Sequence, residues 1–296
     1  MPIAYEERVC PLNCQGRQLM GILTLPARPL PETARERPGI LMLVGGAQYR
    51  AGSHRQFTLL ARRFAAAGFT VLRMDFRGMG DSQGEAADFE GVAADIDCAL
   101  DGLLQVQPGL HGVVLWGLCD GASAALLHAS ADARVRAMVL VNPWARTESG
   151  QAQAYLKHYY RARLTSPELW HKILHGRFNA LAALRSLLRQ WRQAGGAGDN
   201  GGTGGSSATT PELLPLRLQR AYERFSGPVL LILSEADLTA REFADLATPG
   251  SRWEALLLAS RTTRIDLPDA NHTFSTRLWR EQVARACVRW LAGLER

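Results

Sequence analysis

The sequence predicts an α/β fold, a mostly parallel twisted sheet flanked by helices, with a helical lid inserted late in the sheet. Three observations lead there. Short apolar runs rich in branched residues alternate with helix-like stretches, as in a doubly wound sheet. Most of these runs are apolar throughout rather than at every second position, which suits strands covered on both faces. The rhythm then fails over one stretch, 146–226, where no strand pattern occurs.

The N-terminal segments YEERVCPL and RQLMGILTLP read as an antiparallel pair added at one edge of the sheet. The buried strands follow as GILMLVGG (39–46), FTVLRMDF (69–76), GVVLWGL (112–118), VRAMVLVNP (135–143), GPVLLILS (227–234) and TTRIDLP (262–268). Helices are expected near 53–67, 86–107, 120–132, 240–260 and 273–293. Residues 1–145 and 227–296 would form the core, and 146–226 a helical cap lying over the C-terminal ends of the strands, where open α/β sheets bind ligands. Within the cap, AGGAGDNGGTGGSSATT (194–210) is too rich in Gly, Ser and Thr to pack and reads as a flexible linker.

Composition narrows the function classes. An apolar fraction of 47% over 296 residues supports a buried core. The start MPIAYEERVC has neither the basic residues nor the apolar stretch of a signal peptide, and no run reaches a membrane span. A cytoplasmic protein is expected, with no nucleic-acid partner; the oligomeric state is left open. Five scattered cysteines (Cys10, Cys14, Cys98, Cys119 and Cys287) make no disulfide framework. No second ligand pair accompanies Cys10 and Cys14, so no metal and no cofactor are expected. The net charge of +6 is uneven: 146–226 holds twelve Lys or Arg against five acids. A basic cap would favour an anionic substrate.

The chemistry centres on WGLCDG (116–121), in which Gly117-Leu118-Cys119-Asp120-Gly121 has the spacing G-x-S-x-G with cysteine at the nucleophile position. Strand GVVLWGL precedes Cys119 and helix DGASAALLHAS follows it, the order that a nucleophile elbow requires. The helix N-terminus favours negative charge on the sulfur. Of the seven histidines only His272, in DLPDANHTFST, follows the last strand, where the general base belongs. The orienting acid is expected at Asp237 in LILSEADLTAREF, with Asp269 as the alternative. Oxyanion donors are expected at the backbone N–H groups of Asp120 and Ala47, the latter in the loop VGGAQYR. Gly46 permits close approach there, and Gln48, Tyr49 and Arg50 either line the pocket mouth or face solvent. Asp75 and Arg77 in MDFRGMGDSQG buttress the site, and His54 takes a core or capping role.

Together the elbow GLCDG, the loop VGGAQYR, the D-F-R-G-x-G-x-S turn, Asp237 and His272 resemble the α/β-hydrolase superfamily. GSHRQF, RGMGDSQG, WGLCDGASA, NPWARTESGQAQAYLKHYYRARL and ADLTAREF more narrowly resemble the exosortase A system-associated hydrolases, type 1 group. The resemblance implies the α/β-hydrolase fold and a bacterial protein encoded beside protein-sorting and exopolysaccharide functions. It supplies no substrate.

A cysteine in this setting points to acyl chemistry through a thioester enzyme intermediate. The expected activity is an acyl hydrolase, esterase or thioesterase, with a Cys119–His272–Asp237 triad. The substrate would be a small acyl ester or thioester, and an anionic one such as acyl-CoA or an acyl carrier protein would suit the basic cap. The alternatives are an acyltransferase using the same residues and a non-catalytic binding protein on a hydrolase fold.

Overall fold

A computed structural model describes residues 5–27, 37–46, 48–145 and 213–294. The chain divides into two units, Met1–Ala145 with Pro215–Arg296, and Arg146–Leu214. Nearly all of the second unit, including the expected cap helices and the 194–210 linker, lies outside the described residues.

The first unit is built on an eight-stranded sheet. Its strands are β1 (Tyr5–Cys14), β2 (Arg17–Pro26), β3 (Gly39–Leu43), β4 (Val71–Met74), β5 (Val113–Leu118), β6 (Val135–Val141), β7 (Val229–Ser234) and β8 (Thr262–Leu267), in the spatial order β1-β2-β4-β3-β5-β6-β7-β8. β1 pairs with β2, and β2 with β4, in the antiparallel sense; every other neighbouring pair is parallel. The described helices of this unit are α1 (Gln56–Ala66), α2 (Ala93–Val106), α3 (Asp120–Ala129), α4 (Leu214–Arg224, whose first residue falls in the second unit), α5 (Leu238–Ala244), α6 (Arg252–Leu257) and α7 (Arg277–Gly293).

The central strands behave as their composition demands. Every residue of β3, β5 and β7 is buried, so both faces of the sheet are covered. α1 lays Phe57, Leu60, Ala61 and Phe64 onto one face, where Phe57 meets Trp116 edge-on with ring centroids 5.2 Å apart. Full burial of a side chain of this size stabilises by about 1.5–3 kcal/mol. α7 packs its Val283, Ala284, Cys287 and Leu291 into the same core. Cys287 is therefore a packing residue, and burial pushes its thiol up to about 12.

Three expectations need adjustment. β8 resembles the other strands in sequence but is an edge strand, and only Leu267 of its six residues is buried. Residues 240–260 form two short helices rather than one, because the chain breaks at Thr248-Pro249-Gly250 with Gly250 at φ 77°. Residues 215–226, expected within the cap, belong to the sheet unit. There Leu218, Ala221 and Tyr222 of α4 are buried, Tyr222 stacks edge-on against Trp253 at 5.7 Å, and its hydroxyl lies 2.7 Å from that of Thr262.

Candidate active site

Cys119 stands between β5 and α3 with φ 60° and ψ −127°, a conformation that costs a non-glycine residue about 1–3 kcal/mol. Its surroundings hold it there. The Cys119 N–H donates to Val141 O at 3.0 Å, and its carbonyl accepts from Ala122, Ser123 and Trp144. The turn is too tight for side chains at its flanks. A Cβ on Gly121 would lie 2.6 Å from Leu43 O, and one on Gly117 would strike the Gly121 backbone. Both contacts are with backbone, which cannot rotate away. The glycines of G-x-C-x-G are therefore demanded by packing of helix against strand.

His272 and Asp237 meet each other. Asp237 follows β7 and caps α5: its carboxylate accepts from Thr239 N and Ala240 N, each at 3.2 Å. The same carboxylate takes a 2.7 Å hydrogen bond from His272 Nδ1, in the loop between β8 and α7. The imidazole also interacts with Cys119. Burial opposes a charged ring, but the hydrogen bonds and charges of Asp237 and Cys119 outweigh it and raise His272 to about 10. Asp269, the alternative acid, takes no part in this contact; it is exposed in the β8–α7 turn, at φ 57°.

Asn142, which the sequence reading passed over, ties these loops together. It sits fully buried at the end of β6 with φ 44°. Its amide donates to Ser234 Oγ at 3.0 Å and to His272 O at 3.3 Å, and its Oδ1 accepts from Ser234 N at 2.8 Å. A polar residue directly after an apolar strand, before Pro143, was the available signal.

The loop after β3 meets the elbow through a side chain. Gly46 N donates to Asp120 Oδ1 at 2.6 Å. That carboxyl is raised by burial, against the opposing effect of backbone hydrogen bonds from Gly46, Gly121 and Asp120 itself. The Asp120 side chain thus joins the loop to the start of α3, a role that the reading of its backbone alone did not contain. Ala47 lies outside the described residues. Gln48 turns back, accepting from Ser53 N at 2.9 Å and Ser53 Oγ at 3.0 Å. Tyr49 is exposed. Arg50 is committed to the neighbouring turn: its guanidinium pairs with the buried Asp75 and reaches Asp81 at 2.6 Å, while its N–H donates to Asp75 at 2.6 Å. Arg77 likewise holds Asp95, through its Nε at 2.7 Å. His54 is exposed in a short 3-10 turn, neither core nor cap, at φ 53°.

The fold recurs in known proteins. The model of the alpha/beta hydrolase family matches residues 40–286. The chain belongs to the alpha/beta hydrolase family. Among curated proteins, this hydrolase-family chain is 38% identical to human Protein ABHD12B over 88 residues, which is 30% of the chain and 23% of that protein. It is 41% identical over 59 residues to the uncharacterized protein RP471 of Rickettsia prowazekii, covering 20% and 25% of the two. The matched segments thus span about a quarter of each relative's length. Solved structures share the fold: the Pyrococcus furiosus esterase Pf2001 superposes with a TM-score of 0.61 at 15% identity, covering 98% of this chain and 92% of that one. Dienelactone hydrolase from Anabaena variabilis gives 0.59 at 16% identity, covering 98% of both. No helix among the described residues is long and apolar enough to cross a membrane.

Proposed function

We propose that the protein is an acyl hydrolase, an esterase or thioesterase, in which Cys119 is the nucleophile, His272 the base and Asp237 the residue that orients it. The observation that carries this reading is the position of one imidazole, bonded to a buried carboxylate at 2.7 Å and interacting with a sulfur at a strained elbow. Family membership and the esterase and hydrolase folds among its structural neighbours agree with it.

In this mechanism His272 takes the Cys119 thiol proton as the sulfur attacks the acyl carbon, and the carbonyl electrons move onto oxygen. The N–H groups of Asp120 and Ala47 bind that oxyanion, since Gly46 N is already given to the Asp120 carboxylate. Losing one such donor typically costs about 10²–10³ in rate. Collapse expels the alkoxide or thiolate, which takes a proton from His272, and leaves an acyl-thioester on Cys119. His272 then removes a proton from water as it attacks, and the thiolate departs. The raised pKa of His272 favours the imidazolium formed when it takes that proton, which it then donates to the leaving group. Asp237 holds the ring in one orientation and stabilises its positive charge.

The substrate class follows from the same reading: a small acyl ester or thioester, with acyl-CoA or an acyl carrier protein favoured by the basic 146–226 sequence. A bacterial cytoplasmic setting beside an exosortase and exopolysaccharide system is part of this proposal, on the motifs quoted above.

Intact-mass spectrometry of wild type and Cys119→Ala, mixed with p-nitrophenyl esters and acyl-CoA thioesters, tests it. An acyl adduct should appear on wild type alone and decay in water. Faster decay on adding a thiol or amine would make the protein a transferase instead. An equal adduct on Cys119→Ala would remove Cys119 from the mechanism.

A further inference from the structure

Away from Cys119, at the other end of α3, a second group of side chains converges. His128 lies in the last turn of α3, Asp132 in the loop leading to β6, and Asp97 on α2. Their ligand atoms all fall within 4.8 Å of one another. His128 lies nine positions beyond Cys119, about 14 Å at the α-helical rise.

The histidine makes this more than an acidic patch. Its side chain is 8% exposed, and Nε2 is buried without a hydrogen-bond partner. That nitrogen lies 3.5 Å from Asp97 Oδ1 and 3.6 Å from Asp132 Oδ2. Both separations exceed the normal range for an N–H···O hydrogen bond. They do match the edge of a zinc tetrahedron, about 3.4 Å when the metal lies about 2.0–2.1 Å from each ligand. Leaving a buried ring nitrogen unbonded is costly, and a cation between the three groups would satisfy it.

Charge agrees. Arg134 pairs with Asp132 at 2.5 Å, with Asp97 at 3.2 Å and with Asp101, so one guanidinium faces three carboxylates. With His128 neutral, as a metal ligand must be, the cluster keeps an excess of negative charge that a divalent ion would neutralise. Arg134 binds the carboxylates that the ion would use, so it acts as a competitor and weakens metal binding.

We propose that Asp97, His128 and Asp132 form a site for a divalent transition metal of the zinc type, clamping α2, α3 and the start of β6 together. An imidazole with two carboxylates suits zinc better than magnesium or calcium. Water completes the coordination. The ion is structural, since the site stands a helix length from the candidate nucleophile. This departs from the metal-free expectation drawn from cysteine spacing.

The test is zinc titration of the full chain against a chromophoric chelator, in wild type, Asp97→Asn, His128→Gln, Arg134→Gln and Cys98→Ser. Far-UV circular dichroism checks that each variant is folded; Asp97 is exposed, so its variant retains the fold even if His128→Gln does not. One zinc per chain is expected, weakened at least 10-fold in Asp97→Asn and His128→Gln, tightened in Arg134→Gln and unchanged in Cys98→Ser. Cobalt should bind without the strong charge-transfer absorption of a thiolate ligand. Absence of zinc binding, affinity unaltered in Asp97→Asn, or a thiolate band lost in Cys98→Ser would each overturn the proposal.

Discussion

Replacing Asp237 by Asn separates the two jobs of this carboxylate. Asn still accepts a hydrogen bond at the start of α5, and the two are nearly equivalent as caps. What disappears is the negative charge facing His272 at 2.7 Å. His272 is raised from 6.5 to about 10, so the folded state holds a proton that the unfolded chain releases near pH 6.5. The resulting stability is fully present below pH 6.5 and is lost as pH rises through about 10. A shift of this size at full burial would correspond to about 5 kcal/mol. Solvent screening of a ring that is one-third exposed reduces it to about 2 kcal/mol. Urea denaturation of wild type and Asp237→Asn at pH 6, 8 and 10.5 measures it, and the other titrating groups cancel between the two. The variant should be less stable by about 2 kcal/mol at pH 6 and about 1 kcal/mol at pH 8, with most of that gap closed at pH 10.5. A gap that stays constant with pH would show that Asp237 does not hold the His272 proton, and the assignment of its orienting role would fall.

Two further outcomes follow from the backbone and the buried amide. Cys119→Gly removes the strain of φ 60° at the elbow, and after the entropy cost of glycine it should be about 1 kcal/mol more stable than Cys119→Ala by chemical denaturation, with both inactive. Asn142→Ala deletes three hydrogen bonds and leaves Ser234 N and its hydroxyl short of a partner. It should cost about 2–4 kcal/mol in denaturation and lower kcat more than it raises KM, because the His272 loop loses its anchor.

The sheet and its central strands were legible from composition because a strand covered on both faces has little choice but to be apolar. The elbow was legible because Gly117 and Gly121 are sterically required and lie within a few residues of the sulfur. His272 could be singled out by its place after the last strand. What local sequence could not settle was anything depending on partners far along the chain. β8 reads like its neighbours, and only its place at the end of the strand order exposes it. Sequence offered both Asp237 and Asp269 as partners for His272; the packing of the β7–α5 loop against the β8–α7 loop leaves Asp237 buried and within 2.7 Å of the ring.

The same holds for the side chains whose roles changed. Nothing local to Arg50 distinguishes a pocket residue from a solvated one; Asp75 and Asp81 claim its guanidinium. Asp120 was read for its amide, yet its carboxylate reaches across 74 residues of sequence to Gly46. His128 and Asp132 stand four residues apart, but Asp97 joins them only because α2, packed beside β1, β3 and β4, also meets α3, packed beside β5 and β6. The sequence alone determined the strands and the tight turn, because these follow from local sterics and from burial averaged over a segment. The tertiary structure decided which charges face each other, because electrostatic contacts act across a few ångströms of space and leave no period in the chain.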